Sequence, residues 1–286
     1  MEFIEIVATS QVSKTLPLEE ILIMPIGDSQ LGVPASDEDK LQRHVDWGIS
    51  QGAYFINMGD SVDMSSPSNR QRLRHTDFYD GEVRTLHQKA EQDVERYYEI
   101  MKATKGRWLG WVRGHHFTDF GDGTTSDTRL CQLLEAPFLG DTALIRLQFE
   151  DSKGWTAPVT GDILAYHGSG AGKRLAAPLN LLEQVAGWFN ADIYLTGHHH
   201  KKVAGKLDYL FFDDKGKLKH KTKTLACTGS FLKGYLQGSF NPETKLPEGT
   251  YVEKGMLPPV TLGGVVIRIR PESIGGVSRL DVNVEI

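Results

Sequence analysis

The run Asp192-Ile193-Tyr194-Leu195-Thr196-Gly197-His198-His199-His200 joins a short apolar segment to a glycine and three imidazoles. A continuous apolar run of this length, ending in turn residues, reads as a buried strand. Four other segments repeat the arrangement. Glu20 to Ile26 runs into Gly27-Asp28-Ser29-Gln30, and Ala53 to Met58 into Gly59-Asp60-Ser61-Val62-Asp63. Trp108 to Val112 runs into Arg113-Gly114-His115-His116, and Asp162 to Tyr166 into His167-Gly168-Ser169-Gly170. Five strands therefore deliver Asp or His at their carboxyl ends, mostly beside a glycine. Open α/β sheets bind ligands at that edge, and glycine lets the backbone turn closely there.

Helical patterns separate these strands: Asp37 to Gln51 with Ser36 as its N-cap, Phe78 to Lys105 starting after Gly81, Thr125 to Glu135, and Pro178 to Asn190. From Ala204 onward strands dominate, at Asp208 to Phe212, Lys219 to Cys227, Gly264 to Ile269 and Leu280 to Ile286. Asp213-Asp214-Lys215-Gly216 reads as a hairpin turn. The stretch Pro242 to Pro259 is an excursion rather than a boundary, because strands follow it. The expectation is one layered α/β domain over residues 1–286, with motifs in 28–200 and a strand-rich part in 204–286.

Composition narrows the class. The 286 residues carry 37 acidic and 32 basic side chains, a net −5, which argues against wrapping nucleic acid with the whole chain. Cys131 and Cys227 are too few for a disulfide framework and fit a reducing compartment. The start MEFIEIVATSQVSK lacks the pattern of a signal peptide, and no apolar run approaches the roughly 18 residues of a membrane span. A cytoplasmic protein without membrane contact is expected. Six of the ten histidines fall in the strand-end clusters.

Asp and His on one edge are ligands for first-row divalent metals. His198 and His200 alternate along the chain and so face the same side, while His199 points away or toward a substrate mouth. About four protein ligands serve one metal, and this edge offers about twice that number. The surplus suggests two metals sharing a carboxylate, the arrangement that activates a hydroxide for attack on phosphorus.

Taken in order, Asp28-Ser29-Gln30, Gly59-Asp60-Ser61-Val62-Asp63, Gly114-His115-His116, His167 and Gly197-His198-His199-His200 resemble the motifs of calcineurin-like metallophosphoesterases. The Gly-His-x-His end is most similar to the nuclease and phosphodiesterase branch. The resemblance implies a β-sandwich flanked by helices (αββα). It implies a first metal held by Asp28, Asp60 and His200, with Gln30 beside them. A second metal would be held by Asp60, His167, His198 and His115. His116 would be the general acid, oriented by Asp63. Gln30 stands where the family usually has histidine, and His115 where it usually has asparagine. These exchanges make the first site oxygen-rich, suited to Mn²⁺ or Mg²⁺, and the second nitrogen-rich, suited to Zn²⁺, Fe²⁺, Ni²⁺ or Co²⁺. Phe117 replaces a frequent acid. Met64 stands where phosphoprotein phosphatases of the superfamily carry arginine, which disfavours a serine/threonine phosphatase.

The expected cofactor is a pair of divalent ions, Mn²⁺ first among them, with a single-metal protein in which Gln30 does not touch the ion as the alternative. The expected activity is hydrolysis of nucleic-acid or nucleotide phosphodiesters by a metal-bridging hydroxide. A phosphomonoesterase on a nucleotide or phosphoprotein, and a non-catalytic scaffold with a degenerate site, stand as alternatives. Gly168 to Arg174 fails the P-loop spacing, yet Lys173 and Arg174 lie next to His167 and are substrate-phosphate candidates with Arg113 and His199. Residues 201–223 hold eight lysines against three aspartates, which suits either a DNA or RNA partner or a charge-protected hairpin edge. Arg70, Arg72, Arg74 and His75 form a second basic run. Asp119 and Asp122 are extra ligands or caps, with capping favoured.

Overall fold

The computed structural model describes residues 11–63, 80–151, 158–170, 172–213, 215–241, 244–274 and 277–286. The basic run at 70–75 lies outside the described residues. The expected α/β sandwich flanked by helices is the architecture formed. A five-stranded sheet has the order β12 (Val277–Glu285), β11 (Val266–Ile274), β2 (Ile21–Ile26), β3 (Tyr54–Asn57) and β4 (Trp108–Trp111). The second sheet runs β1 (Gln11–Pro17), β5 (Thr142–Glu150), β6 (Val159–Tyr166), β7 (Ile193–Thr196), β9 (Leu218–Ser230) and β10 (Gly263–Gly264). β8 (Lys202–Phe212) pairs with β9 as a long antiparallel hairpin. β1 and β5 have no counterpart among the expected strands.

Alternation builds the layers. In β5, Ala143, Ile145, Leu147 and Phe149 are buried while their neighbours are less so. They meet Ile23, Ile56, Leu109, Ile267 and Ile269 of the other sheet in one apolar cluster. The opposite face of the five-stranded sheet, with Met24, Phe55, Trp108 and Trp111, is covered by three helices, α1 (Glu38–Ser50), α2 (Asp80–Met101) and α3 (Ser126–Leu134). The outer face of the other sheet packs Leu164, Tyr194 and Leu225 against Leu182 and Val185 of α4 (Ala177–Ala186). No helix among the described residues is long and apolar enough to cross a membrane.

Local signals act as expected, with one exchange. The α1 cap is Asp37, whose carboxylate accepts from the Lys40 amide at 3.1 Å. Ser36, expected there, instead donates its hydroxyl to the Ser29 carbonyl at 2.7 Å and ties α1 to the Asp28 loop. Thr125 and Thr128 form a reciprocal capping box on α3. β2, β3 and β4 run parallel, as do β6, β7 and β9, so the loops after β2, β3, β4, β6 and β7 can gather at one edge.

Candidate metal centre

The chain bends sharply where those strands end. Eight non-glycine residues among the described ones have a left-handed backbone, and Asp28, Gln30, Asp60, His198 and His200 are five of them (φ between 44° and 62°). Such conformations cost about 1–3 kcal/mol each and persist where surrounding structure fixes them. Here the fixing is visible. The Asp28 amide donates to the Gly59 carbonyl at 3.0 Å, and the Gln30 amide to the Asp60 carbonyl at 2.9 Å. The Ser230 hydroxyl donates to the Asp28 carbonyl at 2.9 Å. Gly59 and Gly114 meet back to back: a Cβ on Gly114 would lie 2.1 Å from the Asp60 amide nitrogen. Only glycine permits that approach.

Asp60 sits at the centre and is buried. Its Oδ1 accepts from the amides of His115 and His116 at 2.6 and 2.9 Å, which leaves Oδ2 facing His167 Nε2 at 3.1 Å and His116 Nε2 at 3.6 Å. Burial alone would raise its pKa, but the bond and charge of His167, with His116, hold the carboxyl below the usual range. One ligand atom from each of Asp60, His115, His167 and His198 lies within 4.8 Å of the others.

Backbone carbonyls set the tautomers of this group. His167 donates Nδ1–H to the Met58 carbonyl at 2.6 Å, so Nε2 carries the lone pair of the neutral ring. His198 donates Nε2–H to the Gly170 carbonyl at 2.9 Å, which leaves Nδ1 as its lone-pair nitrogen. Without a cation the cluster is frustrated. Burial disfavours the charged form of His167, yet Asp60 and Asp28 raise its pKa to about 9. Burial and the neighbouring His167 lower the pKa of His115 and His198.

Beside this group, His200 Nε2 stands 3.2 Å from Asp28 Oδ1. The contact is close but not aligned as a hydrogen bond; Gln30 Oε1 is buried without a hydrogen-bond partner, while Asp28 Oδ1 and His167 Nε2 have only their ion-pair contacts with His200 and Asp60. Unpartnered lone pairs in a buried setting are what a cation would satisfy. The residues therefore fit a divalent ion: three imidazoles and a carboxylate in one group, and carboxylate, amide and imidazole donors in the other. His116 completes the edge, its Nδ1 2.6 Å from Asp63 Oδ2 and its Nε2 turned toward Asp60.

The substrate candidates fare differently. Arg113 is committed to Asp141 through two bonds of 2.9 and 3.2 Å, and its guanidinium lies over Phe117. Lys173 reaches the carbonyls of Gly255 and Met256 at 3.4 Å, and Arg174 is exposed. His199 faces a cavity beside the cluster, its pKa lowered to about 4 by burial and by the charges of His198 and Lys201. Asp119 and Asp122 hold the amides of Gly121 and Thr124, so they act as turn caps.

Two buried acids among the described residues escape the strand-end reading: Asp93 of α2, paired with Lys89, and Asp127. Asp127, in the first turn of α3, is fully enclosed behind Gly114. Burial pushes its pKa up to about 7, against the Trp111 indole and Gly114 amide, which lower it, and with the Asp60 charge, which raises it. The spacing of Asp127, Leu130, Cys131 and Leu134 is the only sequence signal, since it puts the acid on the buried face of the helix.

The chain matches no protein-family model and no curated protein. Among solved structures it is similar to Vps29 of Entamoeba histolytica complexed with Zn²⁺, at 12% identity and a TM-score of 0.40, over 92% of this chain and 99% of that one. It is similar to Vacuolar Protein Sorting 29 of Cryptosporidium parvum, at 15% identity and a TM-score of 0.36, over 93% and 98% of the two chains. It is also similar to a conserved protein of Streptococcus pneumoniae, a predicted phosphoesterase, at 14% identity and a TM-score of 0.33, over 92% and 98% of the two chains.

Proposed function

We propose that this protein is a metal-dependent phosphoester hydrolase of the calcineurin-like type, acting on phosphodiesters. The observation that carries the reading is the assembly of Asp60, His115, His167 and His198 within 4.8 Å, with the His116–Asp63 pair alongside. Divalent ions bound by this group, and by Asp28, Gln30, Asp60 and His200, would supply Lewis acidity toward a phosphoryl oxygen and lower the pKa of water. Mn²⁺ suits the oxygen-rich group, and a borderline ion such as Zn²⁺ suits the three imidazoles.

The protein's own part is proton transfer and orientation. Asp63 accepts Nδ1–H of His116 and so fixes the ring with Nε2, and any proton it carries, directed into the site. That proton is placed to pass to the departing ester oxygen. The preference for diesters rests on charge. A monoester dianion calls for more positive charge than a diester monoanion, and Arg113 and Lys173 are already committed to Asp141 and to backbone carbonyls. The two cysteines are free and buried, in keeping with a cytoplasmic setting.

The lysine segment lends less to a nucleic-acid partner than its count suggests. Lys223 donates to the Ala186 carbonyl, Lys221 pairs with Asp192, Lys206 donates to Thr224, and Lys201 donates to the Arg174 carbonyl. The eleven residues of β8, at about 3.3 Å each, carry the tip roughly 35 Å from His200. Small diesters suit this site better than long polymers.

Turnover of bis(p-nitrophenyl) phosphate and p-nitrophenyl phosphate, with Mn²⁺, Zn²⁺ or Co²⁺ supplied, tests the reading. Diester hydrolysis that falls by about 10²–10⁴ in His116→Ala is expected. Turnover of the monoester alone would move the activity to the monoesterase class. Metal binding without any turnover would leave a binding protein.

A further inference from the structure

A cavity of 220 Å³ opens directly beside the metal cluster, and His198 and His200 line both. Its far wall comes from the excursion between β9 and β10: Leu232, Val252, Leu257, Pro258 and Val260 present aliphatic surface, and His199 faces them. This excursion is a built element. Tyr235 donates its hydroxyl to the Leu257 carbonyl at 2.8 Å, and the Leu257 amide donates to the Val252 carbonyl at 2.9 Å. The Lys233 amide donates to the Ala35 carbonyl at 2.8 Å, which roots the segment beside α1. Lys173 reaches across from the other rim to the carbonyls of Gly255 and Met256.

The chemistry of the cavity limits its occupant. Both lysines at its edge are spent on carbonyls, Lys201 on Gly172 and Arg174 and Lys173 on Gly255 and Met256, so nothing there calls for a second phosphate. The aliphatic wall favours an uncharged group with apolar faces. The His199 imidazole lines the same cavity and makes that part of its wall less apolar. Cavities for drug-sized ligands run about 300–1,000 Å³, so this one takes a single ring system and not a second nucleotide. A planar heteroaromatic group with apolar faces and a hydrogen-bonding edge meets all of these conditions.

We propose that this cavity seats the nucleobase of a small nucleoside phosphodiester whose phosphate lies on the metal cluster, with Leu232 and residues 252–260 as the specificity element. The proposal rests on the phosphoesterase reading for its phosphate but not for its base pocket, and two measurements separate them. In the first, thymidine is titrated calorimetrically into the full-length, metal-free protein and into Val260→Trp, which fills the cavity, and Leu257→Asp, which charges its wall. Binding that weakens at least tenfold in both variants is expected, with circular dichroism verifying that each is folded. Absence of thymidine binding to the wild type, or equal binding to the folded variants, would overturn the pocket whatever the activity.

In the second, kcat/KM is compared for the p-nitrophenyl ester of thymidine 5′-phosphate and for methyl p-nitrophenyl phosphate, with metal supplied. The wild type should prefer the nucleoside ester at least tenfold, and Val260→Trp should erase that ratio. A wild-type ratio near one would overturn the coupling of pocket to reaction. Thymidine binding with no hydrolysis of either ester would retain the pocket and reject the phosphoesterase reading.

Discussion

At Gln30 a neutral amide oxygen is buried, unpartnered, and held on a left-handed backbone at φ 44°. An unsatisfied buried acceptor costs roughly 1–3 kcal/mol, so the metal-free protein carries a penalty that a cation would relieve. Gln30→Met keeps an unbranched chain of similar volume and removes the acceptor. In chelator, its urea-unfolding free energy should equal or exceed that of the wild type by about 1 kcal/mol. With Mn²⁺ the order should reverse, because the variant lacks a donor. Equal Mn²⁺ stabilisation of the two proteins would show that Gln30 is not a ligand. At Asp63 the argument concerns orientation, since its carboxylate holds Nδ1 of His116 at 2.6 Å. Asp63→Asn should lower kcat about 10–100-fold while metal content stays at the wild-type level. A variant that lost metal instead would assign Asp63 a ligand role.

At the scale of elements, α3 carries more than packing. Its first turn places Asp127 behind Gly114, so one short helix backs the loop that holds His115 and His116. Burial raises the Asp127 pKa from near 3.9 in the unfolded chain to about 7 in the folded one. The native state then binds more protons than the unfolded state across that window. Stability is therefore greatest at the acid end and falls as pH rises toward 7, by an amount on the order of 4 kcal/mol. Asp127→Asn keeps an acceptor for Gly114 and removes the charge. In metal-free protein it should be more stable than the wild type at pH 8, with the gap narrowing at pH 5. Parallel urea-unfolding curves at both pH values would refute this. Strand ends such as Gly59-Asp60 and Gly197-His198 were legible in the sequence because a buried parallel strand is a continuous apolar run that stops abruptly. β5 was not, since it is buried on one face and shows alternation instead of a run. β1 pairs at the sheet edge and buries only Leu16, so its sequence has almost no pattern to find. Asp127 was legible only as a helix-start acid, because an exposed first-turn carboxylate has the same local sequence.

Across the whole molecule, the two sheets meet at the candidate ligands. Asp60 and His115 leave the five-stranded sheet at β3 and β4, while His167 and His198 leave the other at β6 and β7. Which strands ended in ligands could be read from the chain, but that they belong to two facing sheets depends on pairings far apart in sequence, such as β2 with β11. The same distance hid the fate of the lysines, whose partners Ala186 and Asp192 lie in other elements. A cation held by donors from both layers acts as a tie between them, in addition to the apolar contact of the sandwich. An ion that bound only the folded state would stabilise it by RT ln(1 + [M]/Kd), about 2.7 kcal/mol at a hundredfold excess over Kd. For a chain of this size, that corresponds to roughly 4–5 °C in Tm. Differential scanning fluorimetry with Zn²⁺ or Mn²⁺ should show this rise, and His167→Ala should abolish most of it. Lys215→Glu with Lys217→Glu, at the distant hairpin tip, should leave it intact. Hydrogen exchange should slow together at the carboxyl ends of β3, β4, β6 and β7 when metal is added. Protection confined to one sheet would mean that the ion does not span the two layers.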